Sequence, residues 1–273
     1  MASTPENGAA APEQQAAQLP LFYKSLVPLS SQQHAKFGVD VRKTLEFTRG
    51  MHAIPLTVDE FASAQRHYPI IFSGGETPAP LALLGLQEGQ NFFLNEDGTW
   101  REETYVPAYI RRYPFMLARL RPDSDDLSLC FDNSYDEVHE DAEQPFFDGT
   151  ETTDVTKNVL KFCEEYERSI QKTRAFSDEL KKHELLMDGE VSIQPAGAEN
   201  PFVYRGFQMV NEEKVKELRG DQARKLVQNG ALPLVYAHLL SIPLIRNLFA
   251  KANPDAMQPP ATAVGAEAND TAN

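Results

Sequence analysis

Apolar residues follow two spacings along this chain. Before about residue 131 they come in short runs or partial alternation, the period of strands. From residue 154 onward they recur every three or four positions, the period of a helix face. Phe37 to Phe47 alternates in part, through Phe37, Val39, Val41, Leu45 and Phe47, and predicts a half-buried strand. Thr57-Val58-Asp59-Glu60 reads as a capping box opening a short helix to about Arg66, which must end before Pro69. Pro69 to Phe72, Leu81 to Leu86, Tyr105 to Ile110, Phe115 to Leu120 and Leu127 to Phe131 are strand candidates. Asn91 to Leu94 is expected to turn through Asn95-Glu96-Asp97-Gly98 into Thr99-Trp100, because Asp-Gly favours a hairpin.

In the second half, Asp154 is the expected N-cap of a helix of about 30 residues. Its buried stripe is Val155, Val159, Cys163, Tyr166 and Ile170, and Leu185 and Leu186 close it. A small strand pair is expected at Val191–Ile193 and Val203–Phe207. Asn211 caps a second helix, Asp221 starts a third that Asn229-Gly230 stops, and 232–249 forms the last. The class is therefore α+β: a β-rich N-terminal half with a mixed or antiparallel sheet, then a mainly helical C-terminal half. Residues 1–18 and 251–273, rich in Ala, Pro and polar residues, have too little apolar surface to offset ordering entropy and are expected to be disordered tails. One domain over 19–250 remains.

Charge narrows the function. With 26 Lys+Arg against 40 Asp+Glu the net charge is −14, which opposes general nucleic-acid binding and simple adsorption to anionic lipid, although a local basic patch can override the average. The two cysteines, Cys130 and Cys163, form no CxxC pair and read as reduced, buried thiols. Met1 to Gln18 has neither a basic nor an apolar region of a signal peptide. Ala231 to Ile245, interrupted by Pro233, His238 and Pro243, is too short to span a bilayer. A cytoplasmic protein without a membrane span is the expectation.

Two clusters are candidate sites. Residues 123–154 hold twelve acids and no Lys or Arg, and without them the rest of the chain would carry −2. Asp123, Asp125, Asp126, Asp136, Glu137, Glu140 and Asp141 are its candidate docking residues; the stretch reads as a solvated acidic loop, as a surface for a basic partner, or as a Ca²⁺ site, against which no EF-hand loop occurs. Just upstream, Trp100, Tyr105, Tyr109, Arg111, Arg112 and Tyr113 combine rings with guanidinium groups, a composition suited to an anionic or aromatic ligand. The competing account puts the aromatics in the core and pairs the arginines with the acids nearby. At least one of Arg111 and Arg112 should point outward.

Signals for chemistry are thin. The six histidines form no HExxH or HxH pair, so no metal is expected, and His238 reads as a hydrogen-bonded core residue. Neither Gly-x-Ser-x-Gly nor a phosphate loop occurs, Ser73-Gly74-Gly75 is a turn, and no cofactor is expected.

The succession VPLS with His34, IPLTVDEF, YPIIF, LALLGL, GQNFFLNEDGTW, YVPAYIRRYPF and LCFD, followed by GFQMVNEEKVKEL and GALPLVYAHLLS, resembles the bacterial SapC family over roughly 20–250. That resemblance implies an association with bacterial surface layers. Because such proteins tend to be encoded near outer-membrane receptors and flavin-dependent tryptophan halogenases, it also implies uptake or tailoring of an aromatic or peptide-like compound. It supplies no catalytic residues. The reading is a non-enzymatic binding or assembly protein with a protein partner; the alternative is an accessory protein or enzyme handling a small aromatic or peptide-like molecule.

Overall fold

In a computed structural model, residues 19–121, 125–195 and 199–254 are described. Asp123 and the expected tails over 1–18 and 255–273 lie outside the described residues. The first half of the chain supplies β1 (Leu26–Pro28), β2 (Phe37–Val39), β3 (Ala53–Pro55), helix α1 (Phe61–Ala64), β4 (Ile70–Phe72) and β5 (Pro80–Leu83). Helix α2 (Ala108–Arg112) leads into β6 (Phe115–Arg119), β7 (Leu127–Asp132) and the short strands β8 (Val138–Glu140), β9 (Gln144–Pro145), β10 (Phe147–Asp148) and β11 (Glu151–Thr152). The long helix α3 (Asp154–Lys182) is followed by β12 (Leu186–Ile193), β13 (Phe202–Val210), α4 (Glu212–Lys216), α5 (Gly220–Gln228), α6 (Ala231–Ser241) and α7 (Ile245–Ala252).

The α+β class holds, and every pairing is antiparallel. Five strands form the main sheet in the order β12-β13-β4-β5-β3, joined by two three-stranded sheets, β1-β7-β6 and β8-β2-β9. Helices α3, α6 and α7 cover the main sheet, burying Ile54, Ile70, Phe72, Leu83, Phe176, Leu180, Val235, Ile245 and Leu248 in one cluster. A smaller cluster beneath β6 and β7 holds Phe115, Leu117, Phe131, Val138, Phe146, Phe147 and Cys163. Helix α3 serves both: Cys163 packs in the small core and Tyr166, Phe176 and Leu180 in the large one.

His238 fastens α6 to the main sheet. Its Nε2 accepts the Val210 N–H at 3.0 Å and its Nδ1 donates to the Ile70 carbonyl at 2.7 Å. One residue turn later, Ser241 Oγ accepts the Ile70 N–H at 2.8 Å. The expected core histidine is therefore the pin between one helix and two strands, fully buried.

Several expectations need correction. Only Phe37–Val39 of the predicted strand to Phe47 pairs. Asp40 turns to accept the Glu143 N–H, and Arg42 leaves the sheet for carbonyls of α2 and its exit, so Leu45 and Phe47 pack from the start and middle of a 3₁₀ turn, Glu46–Thr48. Gly38 sits between β8 and β9, where a Cβ would lie 2.4 Å from the Gln144 carbonyl oxygen. Leu94 and Trp100 share a single bridge rather than a ladder, with Gly98 at φ +80° in the turn. Tyr105 to Ile110 is not a strand: α2 starts at Ala108, because Pro107 presets the entry and leaves the Ala108 N–H for a side-chain acceptor. The N-cap of α3 is Thr153 rather than Asp154. The small strand pair is a hairpin of eight and nine residues that belongs to the main sheet through Gln208 opposite Phe72. The last helical stretch continues to Ala252, past the expected boundary at 250.

Candidate functional site

The site grows from the capping box. Glu60 Oε2 accepts the Thr57 N–H at 2.8 Å and the Thr57 hydroxyl at 2.9 Å, as a capping-box glutamate should. Its other oxygen, Oε1, accepts the Ala108 N–H at 2.6 Å and the Tyr105 hydroxyl at 3.1 Å. One buried carboxylate thus starts two helices, and it sits at the N-terminal end of α2, where negative charge is favoured. The other end is held by Arg42, which donates to the Ile110 carbonyl at 3.2 Å and also to that of Tyr113. Its guanidinium lies over the rings of Phe47 at 5.3 Å and Tyr135 at 5.6 Å. Five residues of helix are clamped between an anion and a cation.

That clamp sends consecutive arginines in opposite directions. Arg112 points inward and is 6% exposed, with its guanidinium 4.3 Å from the Tyr166 ring centre, 5.1 Å from Tyr109 and 5.9 Å from Tyr23. Its only ion pair among the described residues is Glu167 at 3.5 Å, and its Nε lacks a hydrogen-bond partner. Arg111 points outward. Its guanidinium lies 5.2 Å from the ring centre of Phe162 and 5.5 Å from that of Tyr105, donating to the Val106 carbonyl at 3.1 Å and the Tyr105 hydroxyl at 3.0 Å. Those two bonds use two of the five N–H donors a guanidinium carries.

Arg111 forms the crest between two open clefts. One, of about 440 Å³, is lined by Asp40, Arg42, Lys43, Trp100, Val106 and Tyr135 together with Arg111. The other, of about 310 Å³, lies between α2 and α3 against Asn158, Val159, Phe162 and Cys163. Lysine and arginine outnumber acids along this crest in a chain of net charge −14. Burial pushes the Cys163 thiol up to about 12, with the Arg112 charge opposing that rise, so the thiol at the cleft floor is not a nucleophile at neutral pH.

Of the six predicted aromatic and arginine residues, the structure brings Trp100, Tyr105 and Arg111 to the crest and withdraws the other three. Trp100 stacks on Phe93, and its indole N–H donates to the Tyr68 hydroxyl at 3.2 Å, leaving one face on the larger cleft. Tyr109 is buried with its hydroxyl on the Leu21 carbonyl. Tyr113 is buried with its hydroxyl 3.3 Å from Asp132. Arg42, Lys43 and Phe162 were missed. Arg42 sat inside a segment read as a strand, and Phe162 adjoins a buried stripe whose period gave it no signal of its own.

The acidic stretch is not a loop. Residues 125–154 form the central strand of one small sheet (β7), both edge strands of another (β8 and β9) and a hairpin (β10–β11), with their charges outward except at Asp132. Asp125 pairs with Arg119 at 2.8 Å, a pairing of an upstream arginine with these acids that the sequence predicts. Asp126, Asp136, Glu140 and Asp141 are exposed and Glu137 is half-buried. His139 reaches Asp40 at 3.1 Å; the Glu140 carbonyl and then Asp40 raise its pKa. Asp132, by contrast, is fully buried and accepts the N–H groups of Lys24, Ser25 and Ser134, at 2.8, 3.0 and 3.0 Å, and the Ser134 hydroxyl at 2.7 Å. No group of three His, Cys, Asp or Glu side chains among the described residues is placed to hold a metal ion.

The SapC family model matches residues 29–248, the bulk of the chain and all of the clamp, crest and clefts. The chain belongs to the SapC family. No curated protein matches it, and no solved structure does. Within this SapC chain the match takes in both halves of the fold, from β2 into α7, and the whole of α2 with its clamp.

Proposed function

We propose that this SapC protein is a non-enzymatic binding or assembly protein that holds a carboxylate-bearing, extended partner segment across the Arg111 crest. The observation that carries the reading is Arg111 itself: an exposed guanidinium lying against the rings of Phe162 and Tyr105, with a cleft on either side. A planar fork held in place loses little freedom when it takes a carboxylate in bidentate fashion. The rings beside it offer stacking area to an aromatic or peptide-like segment. The exposed acids of 125–154 then discriminate among partners by charge, favouring those with a basic flank. A role at the bacterial surface layer or with an uptake system is the family-level context for such a partner.

A second reading, handling of a small aromatic or peptide-like molecule, is favoured by the size of the clefts, which falls in the range of small-ligand sites. One experiment separates the two. Tagged protein is recovered by mild lysis from its native cells, wild type beside Arg111→Glu, and everything retained is identified by mass spectrometry. A stoichiometric protein kept by the wild type and lost from the variant supports assembly. A small compound kept and lost in the same way supports the second reading. Retention that is equal for both proteins removes Arg111 from the site and overturns the proposal.

A further inference from the structure

Helices α6 and α7 and the 3₁₀ turn between them run continuously from Ala231 to Ala252, 22 residues that are long and apolar enough to cross a membrane by length and composition. One side of that run cannot leave the protein: Val235, His238, Ser241, Ile245, Leu248 and Phe249 are buried, and His238 and Ser241 hold β4 and β13. The other side has no cover. Leu240 is 71% exposed and Tyr236 41%, with Pro233 and Pro243 exposed at helical spacing along the same stripe, and Val227 on the neighbouring α5 is 59% exposed. A leucine so open, in line with a tyrosine and two prolines, is an apolar face without a partner.

Charge says what fits it. From 222 to 254 the chain has no Asp or Glu, although it holds 40 elsewhere, and the same stretch carries Arg224, Lys225, Arg246 and Lys251. Lys225 is paired with Glu179, and Lys251 lies over Phe93, while Arg224 and Arg246 are exposed on either side of α6 in sequence. A symmetric pairing of two copies through this face would set the exposed arginines that flank α6 in one copy against those of the other. A bilayer with anionic headgroups offers the opposite: negative charge for the arginines, and an acyl boundary for Leu240 and Tyr236.

We propose that the exposed face of α6 and the following turn, Pro233 to Pro243, docks this protein onto an anionic lipid surface, lying in the interface plane without crossing it. The strands over 125–154, which pack on the other core, hold eleven acids and no Lys or Arg, so most of the net −14 lies away from this face. At physiological salt charges are screened beyond about 8 Å, which lets one face act for itself. Binding of this kind is reversible and weakens as salt is raised.

The test is co-sedimentation of the full chain with vesicles of phosphatidylcholine alone or mixed with phosphatidylglycerol. Wild type should pellet with the mixed vesicles only, and less as salt rises. Leu240→Glu, an exposed change that leaves the thermal melt unaltered, should lower the partition coefficient about tenfold or more. Arg246→Glu should lower it less, and only at low salt. Wild type remaining in solution with mixed vesicles at low salt overturns the proposal. So does sedimentation that Leu240→Glu leaves unchanged. A dimer in gel filtration that Leu240→Glu turns to monomer, with no vesicle binding, would assign the face to a second copy instead.

Discussion

Under the five-stranded sheet the deepest polar group is a neutral imidazole, whereas beside the smaller core it is a carboxylate, with a guanidinium close by. His238 meets one donor and one acceptor, so a single tautomer satisfies it and no charge is needed. Asp132 meets three N–H groups, two hydroxyls and no cation, so its charge is held by dipoles alone. Arg112 is held by three tyrosine rings and one long ion pair. The contact of α6 with the main sheet can therefore be dry, because its polar links are neutral groups. Where the two cores meet, around α2, buried charges are accepted because they tie down the N-terminal segment and α2.

The harshest way to break this contrast is Arg112→Glu. A second carboxylate beside Glu167, buried among tyrosines, has no cation to meet it. We expect a loss above about 5 kcal/mol and no stable fold, measured by urea denaturation or by recovery of soluble protein. Arg112→Met, which keeps the packing and drops the charge, should cost about 2–3 kcal/mol because half-exposed Glu167 can turn to water. Were the two substitutions to cost the same, the cage would be a packing feature and not an electrostatic one.

Asp132→Ala comes next. It leaves the Lys24, Ser25 and Ser134 N–H groups without their acceptor and should cost about 3–4 kcal/mol by the same measurement. Burial alone would push the Asp132 carboxyl up, but the bonds from Ser134, Lys24 and Ser25 outweigh it and hold the pKa below the usual value. Its contribution is therefore present above about pH 3.8 and is lost as pH falls through the folded-state value. Detachment of the segment before β1 at that pH, seen as loss of hydrogen-exchange protection, would separate this event from global unfolding.

His238 titrates in a different window, which sharpens the contrast. Burial lowers its pKa to about 4, with the Ile70 carbonyl opposing, while the unfolded value is near 6.5. The folded state binds the proton less readily, so stability is full above pH 6.5 and falls as pH drops toward 4, by about 3 kcal/mol in all. The acid limb of the stability curve should flatten between those pH values in His238→Gln, after the loss from replacing the imidazole itself. A limb of unchanged slope in the variant would mean that other groups carry it.

Local signals were read well where one short segment decided the outcome. The capping box, the Asn211 cap, whose side chain accepts the Lys214 N–H, and the Gly230 stop at φ +76° each formed as their residue types require. The run Ile70–Phe72 is a fully buried strand, and the α3 stripe at Cys163 and Tyr166 is buried. What escaped the sequence were long-range assignments. Glu60 capping a helix 48 residues away, Arg42 clamping its far end, and the β12–β13 hairpin joining the first-half sheet all depend on the assembled fold. Arg111 and Arg112 could not be ranked from sequence for the same reason, since their directions follow from a strand expectation that α2 replaced.

The smallest stability effect belongs to Arg111, and that is its value. Its guanidinium is exposed and its two hydrogen bonds are at the surface, so Arg111→Ala should move the urea midpoint by less than about 0.5 kcal/mol of stability. Binding is where the residue acts. Trp100 is the only tryptophan in the chain and lines the cleft beside Arg111, so its emission reports on occupancy without any label. A peptide with a free C-terminal carboxylate and a neighbouring aromatic residue should change that emission in the wild type. In Arg111→Ala the apparent Kd should rise about tenfold or more, the scale of one charge-assisted, bidentate contact. Arg111→Lys keeps the charge but not the planar fork that lies against Phe162 and Tyr105, so it should recover little of the loss. Recovery by lysine would mean that charge alone matters there. A residue nearly silent in stability and dominant in binding, one position before a residue with the reverse profile, is what the clamp on α2 produces.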